Sequence, residues 1–334
     1  MNKRNLSLLT GLILGLVMIL VWLHYVDVSQ MRLHMLKADL GLIGLAVLLY
    51  LSAYFIRSIR WNLLLRQKVQ LSIWQTWIFV WGGNFVNYLI PIRLGELVKA
   101  WFVRRHHQIP VAQSLPSIFI DKFFDTIAIF FILITLFFIP VGHSKAMLIL
   151  VALSIIVFLV FLAMILMAVF FRVQIVSILN RFFGWLPKRL REKVAGNLEM
   201  FISGLNMFEH HWMVLVGAVL LTVLGVVLDG LYFFYIILAF GQQLPFFMVL
   251  FGYTLINLSY ALPQPPAQLG SNEWMMIIVF SIGFGLTKDS AAAIMASAHI
   301  LTAVIISLLG VIAFGISGFS ILKTIFKGEQ INAK

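Results

Sequence analysis

The sequence predicts an all-α polytopic membrane protein with about six transmembrane helices and two re-entrant hairpins of opposite orientation. Three observations predict it. Of 334 residues, 62% are hydrophobic and only 11% charged, too little charge to cover a soluble domain of this length. Apolar runs of about 18 residues or more recur along the whole chain. Two of those runs, "NFVNYLIPIRLGELVKAWFVRR" (84–105) and "NLSYALPQPPAQLGSNEW" (257–274), are broken by proline, glycine and glutamate.

The first element, about 6–25, follows Lys3 and Arg4 and is expected to remain as an uncleaved first helix, since no small-x-small cleavage site follows it. Helix two, about 40–57, returns to the basic side at Arg57, Arg60, Arg66 and Lys68. The next segment, 73–105, is flanked by positive charge at both ends. Each arm, about 10–17 residues, is short for a span, so the segment reads as a hairpin that enters and leaves by the cytoplasmic face.

Helix three (about 115–139) goes out, and helix four (about 145–171) comes back to the basic cluster Arg172, Arg181, Lys188, Arg189, Arg191 and Lys193. Segment 172–211 is amphipathic and is expected to lie on the cytoplasmic leaflet against anionic headgroups. Helix five (about 212–239) goes out. The second hairpin, 246–285, is poor in Lys and Arg at its flanks and enters from the outer face. Helix six (about 290–317) returns to Lys323, Lys327 and Lys334, which places both termini in the cytoplasm of a cell-membrane protein.

The whole chain, 1–334, reads as one membrane domain holding two repeats, about 6–139 and about 145–317, with 172–211 inserted in the second. Asn87 precedes Pro91, and Asn257 precedes Pro263. Each proline is followed by glycine and glutamate: Gly95-Glu96, and Gly270 with Glu273. Lys122 follows Glu96, and His299 follows Glu273, at the same offset of 26 residues. Same order with opposite orientation is an inverted-topology repeat, in which binding sites form where broken helices meet near the midplane.

Composition excludes several classes. The net charge of +12 sits in alternate loops, as topology requires, and does not indicate nucleic acid. Cysteine is absent, so disulfides and thiolate chemistry are excluded. The His106-His107 and His210-His211 pairs are adjacent and lack metal-ligand spacing, no nucleotide loop is present, and neither a metal nor a cofactor is expected.

The candidate substrate-binding residues gather at the two tips: Asn87, Pro91, Arg93, Gly95, Glu96, Lys99, Lys122 and Asp125 around the first, and Asn257, Pro263, Pro266, Gln268, Gly270, Asn272 and Glu273 around the second. Glu96 and Glu273 fit two readings. An acid in the first helical turn favours the dipole, whereas a carboxylate at membrane depth is costly unless it has a function. Open backbone amides at such tips suit an anionic group, phosphate above all. Asp121 and Asp125 are near enough to Lys122 for local ion pairs. Glu96, Asp229, Glu273 and His299 are candidates for proton coupling, and Arg57 and Arg60 are expected to snorkel to headgroups.

These quoted tips, with Asp121-Lys122 and Asp125, resemble the flippase-like membrane family that includes the transmembrane region of lysylphosphatidylglycerol synthases. The likeness spans helix two to helix six. It implies translocation of a polar lipid between leaflets, with the soluble aminoacylating domain of the synthases expected to be absent. The family's second tip usually carries a glycine pair where this chain has Ala267 and Gln268, and its first tip a glycine where this chain has Ile92. Its usual arginines in the helix after the first hairpin and in the last helix correspond to Lys122 and His299. The expected partners are membrane lipids, either anionic phospholipid or a polyprenyl-phosphate type, together with a lipid-synthesis enzyme. The leading function is therefore a lipid translocase. The alternatives are an integral-membrane transferase or phosphatase acting on a lipid headgroup, and a non-catalytic partner of such an enzyme.

Overall fold

The computed structural model describes residues 3–66, 69–90, 94–134, 212–260 and 264–317, with isolated helical positions between 148 and 163. Pro91, Arg93 and Pro263, most of the expected helix four, the amphipathic segment 172–211 and the C-terminal lysines lie outside the described residues.

Ten helices organise these residues. Helix α1 (Lys3–Tyr25) turns by 87° into α2 (Val28–Leu36). Asp27 makes the corner: its carboxylate accepts from the Ser29 and Gln30 amides, and its own N–H donates to Asp289 at 3.1 Å. Asp39 caps α3 (Leu40–Leu65) in the same way. This helix runs eight residues past its expected end at 57, so Arg57 and Arg60 lie within it.

A capping box formed by Ser72 and Gln75 opens α4 (Ile73–Leu89), which is followed by α5 (Gly95–His107) and α6 (Val111–Ile134). Helix α7 (Trp212–Ala239) matches the expected bounds of helix five. Next come α8 (Phe246–Ser259), a 3₁₀ turn (Pro266–Gln268), and α9 (Ser271–Met276), which widens into a π segment (Ile277–Gly283). Thr287 caps α10 (Lys288–Ile316).

Among the described residues, α3, α7 and α10 are long and apolar enough to cross a membrane; the bent α1–α2 pair makes a fourth if it is one span. Exposed apolar residues run along α10 at Ile300, Val304, Leu308 and Ile312, spaced every four residues. Along α7 the same face shows Val216, Val219, Leu220 and Val223. Such stripes cover one side of each helix, and lipid is the medium that suits them. The opposite face of α10 is built from small residues, with Ala291, Ala292, Ala298, Gly310 and Ala313 all buried, which lets neighbouring helices approach closely.

Helices α4 and α5 pack antiparallel. Phe79 stacks on Phe102 with ring centroids 5.2 Å apart and lies 5.4 Å from His106. Nearer the tip, Gly95 lies so close to Gly83 that a Cβ would overlap the Gly83 carbonyl. The Gly95 amide donates to Asn87 Oδ1 at 2.7 Å, which ties the arms together. Helices α8 and α9 also pack together, with Gly252 giving room to Phe280 and Phe284. The second tip lies on α1: Trp274 Nε1 donates to the Met18 carbonyl at 3.1 Å, and Gly270, at φ 80°, leaves no space for a side chain beside Met18.

Candidate functional site

Between the two helix pairs lies a cavity of about 380 Å³. Helices α3, α6, α7 and α10 supply walls, α4 and α5 contribute Asn84, Asn87, Tyr88 and Lys99, and the second pair contributes Tyr253, Asn257, Tyr260 and Gln268. This volume falls within the range of small-ligand sites.

Its polar side is a charge network. Arg60 is almost fully buried, with 2% of its side chain exposed; Nε donates to Asp121 at 2.7 Å and one terminal nitrogen to Asp125 at 2.6 Å. Its other terminal nitrogen donates to Thr222 Oγ1 at 2.8 Å. The planar fork thus joins α3, α6 and α7, a task a lysine could not perform. Arg57 makes a two-pronged pair with Asp229 of α7. Glu96 forms ion pairs with Lys99 at 2.6 Å and Lys122 at 3.3 Å, and Lys122 also meets Asp125 at 3.2 Å. Lys99 lies over the Trp61 ring at 4.9 Å. Four cations and four carboxylates share this region, so the low-dielectric interior carries paired charge throughout.

The network corrects the expectation that Arg57 and Arg60 snorkel to headgroups. A basic residue near the end of an apolar run is read as an interfacial boundary, but here each finds an aspartate on another helix. Those partners are distant in sequence, so local pattern could not reveal them. Asp229 gains its partner in Arg57, and Asp121 pairs with Arg60 rather than primarily with its neighbour Lys122. Lys122 keeps 46% of its side chain exposed and is the most open of the four cations.

At the second tip Glu273 Oε1 lies 2.6 Å from His299 Nδ1, with both residues buried. The two pairs separated by 26 residues, Glu96–Lys122 and Glu273–His299, are therefore both in contact. Gln268 Oε1 accepts from Asn272 Nδ2 at 3.1 Å, Pro266 is buried at the start of the 3₁₀ turn, and Asn257 faces the cavity.

Sequence reasoning passed over the tyrosines. Six of the eight, Tyr50, Tyr54, Tyr88, Tyr232, Tyr253 and Tyr260, line the large cavity or a smaller one beside it. Tyr50 and Tyr54 stand one turn apart in the middle of an apolar run, away from the interfaces where tyrosine normally collects. That placement was the available signal.

A family model described as the lysylphosphatidylglycerol synthase TM region matches residues 8–310. A UPF0104 membrane protein of Methanothermobacter thermautotrophicus is 23% identical over 325 residues, covering 93% of this chain and 95% of its own. One from Methanocaldococcus jannaschii is 22% identical over 313 residues, covering 90% and 92%. Glycosyltransferase AglD of Haloferax volcanii is 26% identical over 130 residues, which is 38% of this chain but only 20% of AglD. No solved structure matches. With the family model covering nearly the whole chain, this protein belongs to the lysylphosphatidylglycerol synthase transmembrane-region family.

Proposed function

We propose that the chain is a lipid translocase whose central cavity takes a polar, phosphate-bearing headgroup while the acyl or prenyl tails stay in the bilayer. One observation carries this reading: a cavity rich in paired charge, walled by both broken-helix pairs, inside a bundle whose outer stripes are apolar. Lys122 and Arg57 are the cations placed to meet a phosphate. Asn84 adds an amide nitrogen that is buried, borders the cavity and has no hydrogen-bond partner among the described residues. Glu96 and Asp125 can accept from amine or hydroxyl groups on the same headgroup. Net neutrality matters here, because an entering phosphate need only exchange partners with carboxylates already present.

The test is reconstitution in liposomes with labelled anionic phospholipids and polyprenyl phosphates. Wild-type protein is expected to move at least one of them faster than empty vesicles, and Lys122→Gln is expected to slow that lipid more than tenfold. No movement above empty vesicles across the set would sink the proposal. A second reading rests on the partial match to AglD, whose name describes a glycosyltransferase: the membrane region could serve headgroup chemistry performed by an enzyme. Chemical conversion of a lipid in an extract, rather than relocation alone, would favour that reading.

A further inference from the structure

His299 on α10 faces a hydrogen-bond acceptor at each ring nitrogen. Nδ1 lies 2.6 Å from Glu273 Oε1; Nε2 lies 2.8 Å from the Ala267 carbonyl and 3.3 Å from the Tyr88 hydroxyl. A carbonyl only accepts, so Nε2 must carry a proton to bond Ala267. One further proton then lies between Nδ1 and Oε1. It can sit on the imidazole, giving imidazolium and carboxylate, or on the acid, giving two neutral groups. Either form keeps both bonds.

Loss of that single proton changes the count. A neutral imidazole has one N–H, which can serve Glu273 or Ala267 but not both. The bond to an ionised carboxylate is the stronger, so the proton settles on Nδ1 and a nitrogen lone pair turns toward the Ala267 carbonyl. Ala267 belongs to a strained tip: it and Gln268 both hold left-handed backbone, at φ 56° and 58°, a region that side chains disfavour. The His299 Nε2 bond ties the Ala267 carbonyl of this tip to α10.

We infer that Glu273 and His299 form a one-proton site that latches the second tip, and that deprotonation releases it. The latch is present at low pH and lost as pH rises through the titration of the pair. Coupling its release to lipid movement rests on the translocase reading above. A polar cavity of about 30 Å³ gives the proton an exit: Asn272 and His299 line it, and Tyr253, Tyr260 and Thr302 line both it and the large cavity. That volume has room for one water. Glu273 Oε2 and Asn272 Oδ1 are buried without a hydrogen-bond partner among the described residues. The titratable groups facing the pair are Tyr88 of α4, Tyr232 of α7, and Tyr253 and Tyr260 on and after α8; among the described residues its only ion pair is internal.

The chain has no cysteine, so a nitroxide on Leu269→Cys reports this tip alone. The probe is read by spin resonance in lipid nanodiscs, without added substrate, from about pH 5 to about pH 10, a range that brackets imidazole titration. In the wild-type background the immobilised fraction is expected to fall along a one-proton curve as pH rises. Glu273→Gln places an amide donor against Nδ1 and should stay immobilised throughout. His299→Leu should be mobile throughout. A pH-independent wild-type spectrum, or a Glu273→Gln variant titrating like wild type, would overturn the latch. A titrating latch in a protein that moves no lipid would sink the translocase reading and spare the latch; lipid movement with a silent probe would do the reverse.

Discussion

Ala267 and Gln268 hold backbone angles that glycine adopts without cost, at the positions where the resemblance leads one to expect a glycine pair. The sequence showed the departure, but only the structure shows that the side chains are carried in the left-handed region. Holding a non-glycine residue there costs roughly 1–2 kcal/mol. Ala267→Gly therefore relieves strain in the latched tip, so a higher pH is needed to release it. One pH unit corresponds to about 1.36 kcal/mol, so the midpoint of the Leu269 probe transition is expected to rise by up to about 1.5 units. A midpoint that falls or stays fixed would show that backbone strain is not what opens the tip. Arg60 teaches the opposite lesson about legibility. Nothing near it in sequence marks it as buried, because its two aspartates lie 61 and 65 residues away. The charges around the first tip and the local Lys122–Asp125 pair were visible in sequence; the pairs that cross between helices were not.

At the scale of elements, the paired helices were legible because their interruptions repeat. Gly95–His107 has 13 residues, and the six residues of α9 with its seven-residue π segment match that length. The shared offset from glutamate to a basic residue was also legible, since each second arm packs against the helix that follows it. The bend between α1 and α2 and the π widening of α9 were not, because both depend on packing against distant partners such as Asp289 and Phe233. The close approach of α5 to α4 at Gly95 gives a direct prediction. Gly95→Val must push the arms apart or displace Asn87, an overpacking that costs about 1–3 kcal/mol. Its thermal unfolding in detergent is expected several degrees below wild type. Gly44→Ala on α3, where a Cβ meets open space, is the matched control and should unfold at the wild-type temperature or slightly above. Equal effects from both substitutions would mean that the arm contact contributes nothing.

For the whole molecule, the question is how the two helix pairs sit in the bilayer. Helix α4 has 17 residues and α5 has 13, about 25 Å and 20 Å long at 1.5 Å per residue. Both fall short of the roughly 30 Å hydrocarbon core, which favours arms that meet inside it over two complete crossings. The loops add the sign. Arg104 and Arg105 end α5, whereas the α7–α8 connection, 240–245, contains no charged residue. From the bias of Lys and Arg toward the cytoplasm we propose that the first pair opens inward and the second outward. Because the chain lacks cysteine, single substitutions test this cleanly. Gln108→Cys after α5 and Gln242→Cys after α7 are expected to react with an impermeant thiol reagent from opposite faces of sealed cells or oriented vesicles. Leu94→Cys, near the first tip, should stay protected from the outer face, because a re-entrant tip does not reach it. Labelling of positions 108 and 242 from one face would remove the inverted orientation. Full outer labelling at 94 would instead turn the first pair into two spans, leaving the cavity and its charge pairs in place.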